Sequence, residues 1–61
     1  MTQIVVHQFR HHDRVTGRVI LSVYKMTAER IAAIGGEIIS DTAETVRESA
    51  LDRDGRYYFN G

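Results

Sequence analysis

The chain contains no cysteine, no proline and no tryptophan among its 61 residues. Without cysteine, neither a disulfide framework nor a thiolate zinc site is available to hold a small fold together. With no proline, low-complexity tract or repeat to divide it, the sequence reads as a single domain spanning residues 1–61. Long apolar runs are also missing. The start, MTQIVVHQFR, has only Ile4, Val5 and Val6 in succession and no basic leader, too little for a signal or membrane segment. The expectation is a soluble, cytoplasmic protein with no membrane partner.

Net charge is missing as well. Eight Lys and Arg balance eight Asp and Glu, so the total points to neither nucleic acid nor an acidic substrate. The distribution says more. Residues 1–30 carry Arg10, Arg14, Arg18, Lys25 and Arg30 against Asp13 and Glu29, whereas residues 31–61 carry Arg47, Arg53 and Arg56 against Glu37, Asp41, Glu44, Glu48, Asp52 and Asp54. The two halves are therefore oppositely charged and complementary.

A chain of this length buries only about 60% of the surface it exposes when unfolded, so the core is small and conformational entropy cancels much of its gain. With disulfides excluded, oligomerisation is the simplest source of further stability.

What is present predicts a small α+β domain. TQIVVHQF and RVILSVY are rich in Val, Ile, Phe and Tyr, and DRVTGR lies between them, which predicts an antiparallel hairpin over about 3–13 and 18–26. Gly17 supplies the positive φ of a glycine bulge closing a type I turn. That turn pairs Asp13 with Val19, His11 with Leu21 and Phe9 with Val23. Both faces of the hairpin then carry apolar residues and both need covers, one of which a partner chain or the C-terminal segment would supply.

MTAERIAAIGG predicts a helix over about 28–34, with Thr27 as N-cap and Gly35 as the left-handed stop. Its Ala28, Ile31, Ala32 and Ile34 form an apolar stripe. After the glycine pair, EIIS predicts a short third strand over about 37–40. DTAETVRESALD predicts a short helix over about 42–51, in which Ala43, Val46 and Ala50 share a face, although its threonines and serine form helix poorly. DRDG is a turn, and residues 56–59 are an aromatic tail or final strand.

Candidate chemistry gathers in FRHHDRVTGRVILS, Phe9 to Ser22. Three histidines within six residues suggest a metal site, but on a strand His11 and His12 face opposite ways. His7 and His11 share a face about 13 Å apart, too far for one zinc to bridge with its short ligand bonds. No metal or cofactor is expected. IGGE lacks the spacing of a phosphate loop, and LDRDGRYY matches a calcium loop at neither end. No nucleophile and base are placed together, and so small a chain scarcely encloses a pocket, so the sequence predicts no enzyme.

The remaining candidates form a possible interaction surface: Arg10, His11, His12, Arg14 and Arg18 on the hairpin, and Tyr57, Tyr58 and Phe59 near the C-terminus. The aromatic triplet also serves as core material if it docks on the hairpin. The layout GGEIISDTAETVRESALDRDGRY resembles that of small bacterial domains and carries no functional motif. The sequence thus predicts a non-catalytic protein-interaction module that forms a homodimer. The alternative is a small nucleic-acid-binding regulator using the basic hairpin.

Overall fold

The computed structural model describes residues 2–59. In chain order the elements are β1 (Gln3–Val6), β2 (Phe9–His12), β3 (Val19–Leu21), α1 (Ala28–Ala33), β4 (Glu37–Ile38) and β5 (Glu44–Arg47), followed by a 3-10 turn at Glu48–Ala50. They form a small α+β domain with two antiparallel sheets, one of order β1-β5 and one of order β3-β2-β4. Among the described residues no helix is long and apolar enough to cross a membrane.

The N-terminal segment is two strands rather than the single strand expected over 3–13. It divides at His7 and Gln8, so that β1 joins β5 while β2 becomes the centre of the larger sheet. Gln8 holds the join: its N–H donates to Thr42 Oγ1 at 3.0 Å and its side-chain amide donates to the Ser22 carbonyl at 3.1 Å.

The hairpin β2–β3 forms as expected but in a register one residue away. Arg10 faces Leu21, His11 faces Ile20 and His12 faces Val19. The Asp13 carboxylate favours this register, since it accepts from the Val15 N–H and the Thr16 hydroxyl, each at 3.0 Å. Arg14 to Gly17 then form the loop, closed by the Asp13 N–H donating to the Arg18 carbonyl at 2.8 Å. Gly17 keeps its predicted role at φ +74°. A one-residue slip exchanges the faces of a whole strand, so Ile20 and Ser22 share a face with Phe9 and His11, while Val19 and Leu21 join Arg10 and His12.

The second strand also ends earlier than the expected 26. Phe9 is bonded to Ser22, and the next pair along is His7 with Met26, which leaves extra residues bulged on the 22–26 side. Ser22 makes this bulge tolerable. Its buried Oγ accepts the Phe9 N–H at 3.2 Å and donates to the Tyr24 carbonyl at 2.6 Å, replacing the ladder bonds that the bulge removes.

α1 starts at its predicted cap, with Thr27 Oγ1 accepting from the Arg30 N–H. It ends in a Schellman motif: Gly36 N–H donates to the Ile31 carbonyl, Gly35 N–H to the Ala32 carbonyl, and Gly35 sits at φ +74°. Of the expected apolar stripe only Ile31 is buried, and Ile34 is exposed. Gly36 is needed for a different reason, because a Cβ there would lie 3.0 Å from Ile31 Cγ2 and 3.1 Å from Phe9 Cδ2. This contact brings β4 against β2, where Ile38 pairs with Phe9 and Glu37 with Arg10.

The helix expected over 42–51 is instead β5 and the short 3-10 turn. Thr42, Thr45 and Val46 are β-branched, and β1 leaves a row of unpaired backbone groups that β5 satisfies, Ile4 against Val46 and Val6 against Glu44. Thr42 is occupied with the chain reversal rather than with a helix cap, its hydroxyl donating to the Ile39 carbonyl at 2.7 Å. The core of the larger sheet is Phe9, Met26 and Ile31 with Tyr24 packed against them, while Val6 and Val46 are buried in the smaller sheet.

Candidate interaction surface

The hairpin residues chosen from the sequence do not form one group. Arg10 projects from the outer face of the larger sheet and pairs with Glu37, Nε to Oε1 at 2.8 Å. His12 lies exposed on that same face. His11 lies on the inner face, half-buried, with its ring centroid 5.8 Å from that of Phe9. Arg14 and Arg18 are exposed in the turn, beside Asp13. The Asp13 carboxyl is held below its ordinary range, chiefly by the Val15 N–H and then by the Thr16 hydroxyl.

The C-terminal aromatics are spent elsewhere. Tyr57 exchanges two backbone bonds with Lys25, at 2.8 and 2.9 Å, and its hydroxyl donates to Glu44 Oε2 at 3.2 Å. Lys25 Nζ bonds Glu44 Oε1 at 3.0 Å and lies 5.1 Å from the Phe59 ring centroid. The Lys25 ammonium lowers the Glu44 pKa most, and the Tyr57 hydroxyl adds to it. Tyr58 is half exposed and packs against Tyr24 at 5.6 Å between centroids. The triplet therefore ties β5 to the segment after β3, away from the arginines of the turn.

Both ion pairs among the described residues, Arg10–Glu37 and Lys25–Glu44, join the basic first half to the acidic second half within one chain. Part of the charge asymmetry is thus used inside the fold.

A further exposed feature lies outside the residues singled out from the sequence. β3 is an edge strand of the larger sheet, and Val19, Ile20 and Leu21 are 55%, 41% and 59% exposed. Val23 beyond it and Val15 in the turn are exposed too. The backbone adds direction. Arg18 and Ser22 bond toward Asp13 and Phe9, and alternation along an antiparallel strand turns Ile20 the same way. Val19 and Leu21 consequently point their N–H and C=O groups outward from the sheet. RVILSV announces a strand, but its apolar residues do not say which strands it pairs with.

Comparison with protein families, with curated proteins and with solved structures finds no match.

Proposed function

We propose that the protein is a non-catalytic, cytoplasmic interaction module that self-associates by pairing β3 with β3 of a second copy. The exposed Val19-Ile20-Leu21 edge, with two residues directing their backbone groups outward, carries this reading. The strand is self-complementary. An antiparallel pair centred on Ile20 sets Val19 opposite the partner's Leu21 as hydrogen-bonded pairs on both sides of the two-fold axis. Apolar residues then meet apolar residues on both faces. Arg18 falls opposite the partner's Ser22, so no like charges confront each other. The product is a continuous six-stranded sheet, β4-β2-β3 joined to its copy.

Light scattering after gel filtration tests this at micromolar concentration. The wild-type chain is expected to elute as a dimer, and Leu21→Lys as a folded monomer. A wild-type monomer at both low and high salt overturns the proposal.

The nucleic-acid reading rests on Arg14 and Arg18, because Arg10 is already paired with Glu37. Two cations neutralise about two phosphates, which gives a shallow salt dependence with a slope of about −2 and weak binding. Titration of duplex DNA or RNA at low salt separates the two readings, and self-association is the better supported.

A further inference from the structure

Between α1 and the Asp52–Arg56 turn lies a cleft of about 220 Å³ lined by Tyr24, Met26, Arg30, Ile34, Asp54 and Arg56. From its geometry we infer that this cleft binds a small organic anion, a carboxylate or phosphate monoester with a flat apolar body.

Two guanidinium groups face the cleft, and each is held in place before any ligand arrives. Arg30 Nη2 donates to the Asp54 carbonyl at 2.7 Å, and the Gly55 backbone lies against the same guanidinium, since a Cβ there would be 3.5 Å from Arg30 Nε. The turn itself is braced by Asp52, whose Oδ1 accepts from the Asp54 and Arg56 N–H groups, each at 2.9 Å. Arg56 lies 4.8 Å from the centroid of the Tyr24 ring. Neither arginine belongs to an ion pair among the described residues.

A guanidinium has five donors in a fixed fork, so each arginine keeps N–H groups for a carboxylate or phosphate. Pre-positioning removes part of the ordering cost that usually weakens binding by surface arginines. The side chains lining the cleft carry two positive charges and one negative, Asp54, leaving an excess of +1 for an anion. Buried Met26, exposed Ile34 and the Tyr24 ring provide apolar surface for the body of the ligand. A ligand joining a charged head to a flat apolar body matches both parts of the lining.

Phenyl phosphate, benzoate, inorganic phosphate and benzyl alcohol are the probes, read by the shifts of the Met26 methyl and the Tyr24 ring protons in NMR titrations. Phenyl phosphate or benzoate is expected to give saturable shifts with a Kd on the order of 1 mM, which is reasonable for about ten non-hydrogen atoms. The stronger of the two shows which head group the guanidinium pair prefers. Inorganic phosphate and benzyl alcohol should each bind at least tenfold more weakly. Arg30→Gln and Arg56→Gln should each weaken binding about tenfold, whereas Asp54→Asn, which removes the opposing charge, should tighten it. Tightening is an outcome that damage to the fold would not produce. No saturable shift with either aryl anion, or equal binding of benzyl alcohol, overturns the inference. The Leu21→Lys variant should bind equally well, so failure of self-association and failure of this site are distinguishable.

Discussion

The two edges of the larger sheet are built on opposite principles. On the β4 side the strand is only Glu37–Ile38 long, its first residue is charged and paired with Arg10, and its end is tied down by bonds linking Ile39, Thr42 and Gln8. Shortness and charge are the usual means of blunting an edge against other chains. On the β3 side three apolar residues follow one another with no charge between them and, among the described residues, no covering element. A protein selected only to remain monomeric would blunt both edges. The difference is the reason the proposed partner strand is set against β3 and not against β4.

Phe9 is the floor common to both edges, because it pairs with Ile38 on one side, bonds to Ser22 on the other and is fully buried under Ile31 and Met26. Phe9→Ala should therefore have the largest effect. Truncating a buried phenylalanine costs about 3–5 kcal/mol, against a total stability near the lower end of the usual range of roughly 5–15 kcal/mol for so small a core. The variant is expected to retain only about 0–2 kcal/mol of stability, with a substantial unfolded fraction at 25 °C and a much lower melting temperature by circular dichroism. A cooperative melt at the wild-type temperature would show that the core is not where the structure puts it.

Two glycines sharpen the comparison at a smaller scale. At Gly36, beside the β4 edge, alanine must displace Ile31 and Phe9, and overpacking of this kind costs about 1–3 kcal/mol. At Gly17, which leads into β3, a Cβ would meet no other group of the described residues within 4 Å, so only the φ of +74° resists a side chain, a penalty of about 1 kcal/mol. Urea denaturation of both variants should rank Gly36→Ala as the more damaging. The reverse order would mean that the hairpin turn, rather than the β4 contact, limits stability.

These positions also show what could be read from the residues alone. The α+β class, the hairpin, the Thr27 cap and the Gly35 stop follow from local chemistry: alternating β-branched residues, a hydroxyl before the helix and a glycine after it. The hairpin register was not legible, because a single carboxylate, Asp13, favours one of two loop lengths that both keep Gly17 left-handed. Residues 42–51 misled for another reason. Their apolar spacing suits a helix, but the deciding factor is β1, some forty positions away, whose open backbone β5 completes. The candidate surfaces were least legible. Histidines and arginines in FRHHDR attract notice by type, whereas the β3 edge and the arginine cleft exist only through topology, which brings Tyr24, Arg30 and Arg56 together from three separate segments.

The smallest effect tests whether Asp13 sets the β3 edge. Its folded pKa lies below the ordinary value of 3.8 because the ionised carboxylate accepts from Val15 and Thr16. A depressed carboxyl pKa means stabilisation that is complete above the ordinary value and is lost as pH falls through the lower folded one. Asp13→Asn, which cannot carry the charge, should thus melt slightly below the wild type at every pH from 5 to 7. The gap should close as the pH is taken below 3.8. Solvent screens so exposed a carboxylate, which keeps the gap small at any salt concentration and smaller still at high salt. The Val15 amide proton resonance should follow the same titration in the wild type alone. A melting gap that widens in acid would remove Asp13 as the determinant of the turn, and with it the reason why Val19 and Leu21, rather than Ile20, direct their backbone outward.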